Sequence, residues 1–199
     1  MTAAWREVYE GGDAESERLV FLRLAQDIMD VQIKVRKRSK AAVIRRTFHT
    51  KAVFAAIDAE LVFADDLPHD LQAGFAQPGK AYPTIVRLSN ADGAGQPDYK
   101  PDLRGVALRV KAADGEHDLL MTNFPVSHAR NARQFVAFAK ATAGGTPSRL
   151  IGIVGLVFAF GPFEVARMLR NITAARRRAP SLALETYWSR GAICWGAKG

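Results

Sequence analysis

The stretch Arg46-Thr47-Phe48-His49-Thr50-Lys51 marks the point where the sequence changes from a helical to a strand-forming pattern. It is rich in β-branched and aromatic residues, which favour strands, and it places an arginine and a histidine three residues apart. As a strand, it would direct positions 46 and 48 to one face of a sheet and positions 47 and 49 to the other. A single histidine in such a run is more often an ordinary half-buried side chain, so its meaning depends on the residues around it.

The residues before this stretch predict a helix over Glu15 to Arg38. Apolar residues recur there with the spacing of one helical face, and either Asp13 or Ser16 is suited to cap the first turn. The apolar positions are Leu19, Leu22, Ile28, Val31 and Val35.

The residues after it predict an antiparallel sheet or barrel. Short segments of valine, isoleucine, leucine and phenylalanine alternate with turn sequences that contain proline, glycine, asparagine and aspartate. The predicted strands cover 43–54, 59–63, 84–88, 106–111 and 118–121, and the turns cover 65–68, 77–80, 90–93 and 113–116.

The C-terminal third returns to a helical pattern from Asn131 onwards. Phe135, Phe138 and Ala139 share one face of the first predicted helix, which Gly144-Gly145 ends. Further helices are predicted over 151–160 and 164–178, followed by a strand over 182–189. The apolar run 150–163 is too short to cross a bilayer, so we expect a buried helix or a helix-turn lid.

Composition predicts one soluble α+β domain over residues 1–199. The chain is 48% hydrophobic and 24% charged, as globular proteins are, and its length suffices for one substantial core. Its parts are a helical arm over 1–40, barrel strands over 41–125, helices over 131–178, and a final strand and tail over 181–199.

The net charge of +8 comes largely from two basic clusters, Lys34 to Arg46 and Arg167 to Arg178. Basic clusters can bind nucleic acid or an anionic membrane surface. These two lie on amphipathic helices without interleaved aromatic residues, which favours a solvated face, and arginines that bind the carboxylates of a cofactor are a third interpretation. The single cysteine, Cys194, excludes an internal disulfide and a cysteine-based metal cluster. The N-terminus lacks the apolar core of a secretory signal, so we expect a cytoplasmic location.

Four segments together resemble the catalase family, and specifically the short catalase-related haem peroxidases. The resemblance is strongest over residues 40 to 140. The segments are Arg46-x-x-His49-x-Lys51, Val86-Arg87-Leu88-Ser89-Asn90, Pro101-Asp-Leu-Arg104-Gly105-Val-Ala107 and Asp118 to Asn131 with Thr122, Asn123 and Pro125. The resemblance implies an antiparallel β-barrel core of the catalase type with an N-terminal helix and C-terminal helices. It also implies haem b as cofactor and hydrogen peroxide or an organic hydroperoxide as substrate.

The resemblance assigns roles to five residues. His49 is the distal histidine, which as a neutral imidazole would take a proton from peroxide and return it to the departing oxygen. Ser89 would hydrogen-bond the other ring nitrogen and fix the tautomer, although a serine that bonds a neighbouring strand is an equal alternative. Arg46 and Arg87 would hold haem propionates with paired charge-assisted bonds, the alternative being surface charge. Phe135 would lie against the haem, or would simply belong to the core.

Departures from the family pattern concern the distal side. The family's asparagine aligns with Thr122, and Asn123 stands one position later, which in a strand is the opposite face. Either Thr122 supplies a hydroxyl donor, or a bulge brings Asn123 inward. Ser127 and His128 replace two phenylalanines of the channel that leads to the distal side, which makes this channel more polar. His69 and His117 lie in turns and are expected at the surface. Arg104-Gly105 is expected to serve barrel geometry through close backbone approach.

A second departure concerns the proximal side, where the family holds iron by a tyrosine that follows an arginine on a late helix. No Arg-x-x-x-Tyr occurs among Tyr9, Tyr82, Tyr99 and Tyr187, and the metal ligand stays unknown. The sequence therefore predicts a C-terminally truncated, incomplete barrel whose open edges favour homo-oligomers. Two hypotheses remain: a haem peroxide enzyme, or a non-enzymatic paralogue with weak or no haem binding. A nucleic-acid partner and a membrane span are not expected.

Overall fold

The computed structural model describes residues 8–40, 46–49, 51–92, 99–191 and 195 of the chain. It contains four α-helices and five β-strands, together with two short 3-10 helices at His69–Leu71 and Leu182–Leu184. The helices are α1 (Ala14–Ser39), α2 (Ala132–Thr142), α3 (Thr146–Phe160) and α4 (Pro162–Ala175). The strands are β1 (Lys51–Val62), β2 (Ala81–Asn90), β3 (Arg104–Ala112), β4 (Gly115–Thr122) and β5 (Trp188–Ser189).

The strands form one antiparallel sheet in the order β1-β2-β3-β4-β5, so each strand pairs with its neighbour in sequence. Over the described ranges the sheet does not close, because β1 and β5 each pair with one strand only. The predicted α+β class with an antiparallel, incomplete barrel is therefore confirmed.

The chain divides into two compact units. The first, the helical unit, consists of Met1–Thr47 and His128–Leu169, and the second, the sheet unit, consists of Phe48–Ser127 and Arg170–Gly199. The organisation of all 199 residues as a single domain remains a prediction.

Helix α1 begins and ends as its sequence indicates. The Asp13 carboxylate accepts a hydrogen bond from the Ser16 N–H at 2.9 Å, and Lys40 ends the helix with a left-handed φ of 54°. Val31 is buried, but Leu19 and Leu22 are 45% and 54% exposed, so the apolar face of the helix is buried over only part of its length. Helix α1 has 26 residues and its neighbour α2 has 11, which is too short to cover the whole length of α1.

Helix α3 packs one face against α2 and leaves the other uncovered. A β-carbon at Gly152 would lie 2.6 Å from the carbonyl oxygen of Ala141, so glycine is what permits the two helices to approach this closely. Leu156 is buried, whereas Phe158 on the outer face is 87% exposed. The prediction of a buried helix is therefore wrong for the outer face. In the part of the chain that the structure describes, no helix has the length and apolarity needed to cross a membrane.

The strand boundaries differ from the prediction at both ends of the sheet. Strand β1 continues through the region predicted as two strands, because residues 55–59 contain no proline or glycine to end it, although its register with β2 shifts between Ala56 and Ala59. Residues 46–49 precede β1 and are not strand, and the predicted start at 43 lies outside the described residues. Of the predicted strand 182–189, only Trp188–Ser189 pairs with β4, since Leu182–Leu184 forms a 3-10 turn.

Candidate functional site

Three contacts with strand β2 and the residue that follows it fix His49 in an unusual backbone conformation. Its φ is 51°, in the left-handed region that non-glycine residues rarely adopt. The His49 N–H donates to the carbonyl of Ala91 at 3.3 Å, and the His49 carbonyl accepts a hydrogen bond from the Arg87 guanidinium. The ring Nδ1 lies 2.9 Å from Ser89 Oγ. A disfavoured backbone conformation persists only where its surroundings determine it, and functional sites are where such conformations cluster.

The positive φ of His49 overturns the expectation that this residue lies in a strand. His49 does not alternate with its neighbours as a strand residue; it is directed onto the sheet by a turn that precedes β1. Arg87 and Ser89 reach it because residues two apart on β2 share one face.

The imidazole ring lies directly against the backbone of Gly105. A β-carbon at this position would lie 2.6 Å from His49 Cε1, 2.7 Å from Nδ1 and 3.1 Å from Ser89 Oγ, all closer than ordinary contact. The predicted close backbone approach at Gly105 is therefore an approach of the histidine ring. In the sequence, the Arg104-Gly105 pair signalled a close approach at this point. It did not indicate that the approaching group is His49, more than fifty positions earlier.

Ser89, Gly105 and Thr122 form one cross-strand row, called the histidine row below. Ser89 is paired with Gly105, and Gly105 with Thr122, so all three lie on the face that carries the imidazole. Ser89 and Thr122 are 4% and 3% exposed. The Thr122 hydroxyl donates to the carbonyl of Phe124 over a long 3.4 Å.

Asn90, Arg104 and Asn123 form the adjacent row on the opposite face, called the amide row below. The Arg104 guanidinium donates to Asn90 Oδ1 and, at 2.9 Å, to the carbonyl of Lys100. Asn123 is fully buried: its Oδ1 accepts from the Arg104 N–H at 2.8 Å, and its Nδ2 donates to Glu185 Oε2 at 2.9 Å. Both ends of the Asn123 amide are thus committed to this network, away from the imidazole.

Glu185 anchors the C-terminal segment to the amide row. It accepts hydrogen bonds from Asn123 and, at 2.8 Å, from Arg177. Burial acts to raise the pKa of Glu185, but the two hydrogen bonds and the charges of Arg177 and Arg104 lower the pKa below its usual value. The carboxylate therefore remains ionised in the fold.

The hydrogen bonds of Ser89 favour one tautomer of the His49 ring. Ser89 Oγ donates its one hydrogen to the carbonyl of Gly105 at 3.4 Å. With that hydrogen engaged, Oγ accepts from Nδ1–H of His49, and the tautomer is assigned by this network. The proton-accepting nitrogen of the neutral ring is then Nε2, as an acid/base role requires.

Beside the histidine row, the next row on the same face of the sheet is apolar except for one arginine. It contains Ala55, Arg87, Ala107 and Leu120, of which Leu120 is 58% exposed. Two small alanines and an exposed leucine next to a fixed imidazole fit a flat, largely apolar group such as haem, and Arg87 fits an anionic substituent of such a group.

The remaining predicted site residues lie in the helical unit. Arg46 is exposed, and Phe135 packs near His128 with ring centroids 5.6 Å apart. His128 is buried and also contacts Phe138 at 4.8 Å, which fits a core residue. The structure thus brings together His49, Ser89, Arg87 and Thr122, while the roles predicted for Arg46 and Phe135 remain predictions.

The two histidines expected in surface turns have different outcomes, because His117 lies in strand β4, where it pairs with Val110, and the prediction of a turn is wrong for it. His69 is exposed in a short 3-10 helix. His117 is half-exposed, contacts Asp114 at 3.0 Å and stacks on Phe75 at 4.3 Å.

None of the four tyrosines occupies a helix, all four being among the described residues. The Tyr187 hydroxyl donates to the carbonyl of Leu182 at 3.0 Å, and burial, reinforced by the charge of Glu185, raises its pKa. A raised pKa favours the neutral phenol, the opposite of what an iron-bound phenolate needs. Across the described ranges, no group of three histidine, cysteine, aspartate or glutamate side chains is arranged to hold a metal ion.

Comparison with known proteins identifies the family of this chain. The catalase family model matches residues 22–151, well over half of the chain. A catalase of Vibrio vulnificus is 31% identical over 114 residues, covering 56% of this chain and 22% of the relative. Catalase HPII of Pseudomonas aeruginosa is 37% identical over 79 residues, covering 39% of this chain and 11% of the relative. The matched part thus spans about a fifth or less of these curated relatives, and the chain belongs to the catalase family.

Proposed function

We propose that this protein decomposes peroxides with the help of haem b, acting on hydrogen peroxide or an organic hydroperoxide as a catalase or peroxidase does. One observation carries the proposal: the His49 imidazole is fixed against Gly105 and bonded through Nδ1 to Ser89. The family match supports the same chemistry, because the relatives named above are catalases. Haem, when bound, supplies the redox chemistry of the reaction.

The protein's part in the reaction is proton transfer by His49. Nε2 takes the proton from one peroxide oxygen and delivers it to the other, so that the departing oxygen leaves as water or as an alcohol. Ser89 holds the tautomer that makes Nε2 the acceptor, and Gly105 sets the height of the ring above the sheet. Because positioned acids and bases contribute roughly 10²- to 10⁴-fold to rate, these contacts matter even though they do not touch the substrate.

Other side chains complete the proposal. Thr122 lies on the imidazole face and is the polar group placed to orient the peroxide, whereas Asn123 is engaged in the amide row. A hydroxyl is a weaker donor than an amide, which favours peroxidase over efficient catalase turnover. Arg87 and Arg46 are proposed to bind haem propionates, and Phe135 to lie against the haem. In this structure Arg87 also donates to the His49 carbonyl, so it supports the histidine as well.

The experiment is haem reconstitution followed by peroxide consumption. The 199-residue chain is expressed with excess haem, passed through gel filtration, and assayed with hydrogen peroxide and with an organic hydroperoxide. We expect a Soret band that co-elutes with the protein and peroxide consumption proportional to that band. Loss of the Soret band on gel filtration would refute the proposal for this chain.

A non-enzymatic, catalase-like protein is the second candidate. The observation in its favour is that the tyrosines described above include no helical tyrosine, and that Tyr187 is kept neutral. This candidate predicts weak or no haem retention together with a cooperatively folded chain. The same gel-filtration experiment separates the two, because only the enzyme retains haem and consumes peroxide.

A further inference from the structure

The outer face of α3 carries exposed apolar side chains, which together with Phe163 are called the apolar stripe. Those on α3 recur at the spacing of one helical face, and all members of the stripe are 55% to 90% exposed. They are Leu150, Ile151, Val154 and Phe158 on α3 and Phe163 at the start of α4. Exposed apolar patches of this kind mark interaction sites rather than ordinary solvated surface.

The helical unit, to which the stripe belongs, carries most of the net charge of the protein. Met1–Thr47 and His128–Leu169 together contain fifteen arginines and lysines and eight aspartates and glutamates, a net charge of +7 against +8 for the full chain. The sheet unit, with thirteen basic and twelve acidic residues, is almost balanced. The family match ends at residue 151, so most of the stripe lies beyond the region matched to catalases.

Glu164 directly follows Phe163 and is the acidic residue at the end of the stripe. Its carboxylate accepts hydrogen bonds from Arg167 at 2.8 Å and from Gln134 at 3.0 Å, and it also contacts Arg130 at 3.2 Å. The bonds from Arg167, with help from Gln134 and Arg130, lower its pKa to about 2. Glu164 is thus ionised and held by the protein's own cations.

Basic side chains also stand at the N-terminal end of the stripe. Arg38 of α1 donates at 3.0 Å to the carbonyl of Gly144, immediately before α3 begins, so the last turns of α1 lie beside the start of α3. Lys34 and Lys37 are exposed on those turns. Apolar side chains bordered by lysine and arginine are the surface that inserts among the headgroups of an anionic bilayer.

We propose that the apolar stripe of α3 docks this protein on an anionic lipid bilayer, with the stripe entering the headgroup region and the surrounding cations binding lipid phosphates. Charge argues for this occupant over a second copy of the chain. Two copies joined through the stripe would bring two helical units of +7 together, whereas an anionic surface complements them.

The test is co-sedimentation with lipid vesicles. Vesicles of equal parts phosphatidylglycerol and phosphatidylcholine are compared with vesicles of phosphatidylcholine alone. The stripe variant is I151E/F158E, and the matched control is F54E/I57E, which changes the same residue types at exposed positions of β1. A second variant, K34E/K37E, tests the cationic part alone.

We expect the wild-type chain to bind the anionic vesicles, and to bind neutral vesicles about tenfold more weakly. The stripe variant should lower the apparent affinity for anionic vesicles by about tenfold or more, and K34E/K37E by a smaller factor that disappears at high salt. The control F54E/I57E should bind as the wild type does. Equal thermal unfolding midpoints for the variants confirm that each is folded.

Three results would overturn the proposal. The first is no binding of the wild type to anionic vesicles, and the second is an equal loss of binding in the stripe variant and its control. The third is a wild-type dimer, seen by analytical ultracentrifugation, that I151E/F158E dissociates, because the stripe would then be an interface between copies. This proposal does not depend on peroxide chemistry, so the two can fail separately.

Discussion

The histidine row and the amide row are neighbours in sequence at every position, yet they are built differently. Ser89, Gly105 and Thr122 are small and leave space that the imidazole occupies, while Asn90, Arg104 and Asn123 are bulky and bond mainly to one another. Because the side chains of a strand alternate, one step along the chain separates the two environments. The comparison shows that adjacent residues of the same strands can hold a reactive group on one face of the sheet and a structural network on the other.

Mutations in the two rows should lower two different quantities. Changes in the amide row should lower stability, since it holds buried hydrogen bonds that lose their partners. Changes in the histidine row should lower peroxide turnover, since it positions the proton-accepting nitrogen.

The largest effect on stability is expected for Arg104→Met. The variant keeps most of the apolar stem but leaves Asn90 Oδ1 and the Lys100 carbonyl without their donor. The free energy of unfolding should fall by about 2–4 kcal/mol, measured by urea denaturation. Arg109→Met on the same strand is the control, because its ion pair with Asp118 is half-exposed and is expected to contribute little to the free energy of unfolding. Equal losses in both variants would contradict the buried role of Arg104.

Gly105→Ala should have the largest effect on activity. The added methyl group would occupy the place of the His49 ring, so the imidazole must move. A displacement of about 1 Å can cost on the order of 100-fold in rate, and we expect peroxide turnover per bound haem to fall by about 10- to 100-fold. The control is Gly191→Ala, where a β-carbon meets no atom within 4 Å. Unchanged turnover in Gly105→Ala would remove Gly105 from the site.

Ser89→Ala should have a moderate effect. It removes the hydrogen bond to Nδ1 and leaves the ring in contact with Gly105. A hydrogen bond that orients the ring contributes about 1 kcal/mol, and its loss corresponds to roughly a fivefold fall in turnover. Asn90→Ala, one residue away, should instead lower the free energy of unfolding and keep turnover per haem. The reverse pattern in these two variants would contradict the division of labour between the rows.

The smallest effect concerns the pH dependence of stability. Because the folded pKa of Glu185 is lowered, its carboxylate stabilises the fold above the unfolded pKa, and this contribution is lost as pH falls through the folded pKa. Glu185→Gln should therefore reduce the stability gained between acidic pH and neutrality, as measured by thermal unfolding from pH 3 to pH 7. Glu60→Gln on β1 is the control for the change of one charge. An unaltered pH profile in Glu185→Gln would show that Glu185 does not link the C-terminal segment to the amide row.

The sequence was sufficient for the elements that its periodicity and turns define. Helix α1 with its Asp13 cap, strands β2 to β4 and helix α2 begin and end close to the predicted residues. Burial does not follow from periodicity alone, because a distant partner decides it. Leu19 and Leu22 are exposed because α2 is short, and the outer face of α3 is exposed because none of the described elements covers it.

The candidate site divides in the same way. The family resemblance identified His49, Ser89 and Arg87, and the structure brings these side chains together. The left-handed turn at His49 and the contact with Gly105 could not be read from local pattern, since they depend on strands that meet only in the fold. The choice between Thr122 and Asn123 likewise needed the strand register.

The most direct test of the central account is the tautomer of His49. Nitrogen NMR of the imidazole ring, recorded at a pH where it is neutral, distinguishes Nδ1–H from Nε2–H. The histidine row predicts the Nδ1–H tautomer in the wild type and its loss in Ser89→Ala, with no change in Asn90→Ala. An Nε2–H tautomer in the wild type, or a ring unaffected by Ser89→Ala, would contradict the account that this row prepares His49 to accept a proton.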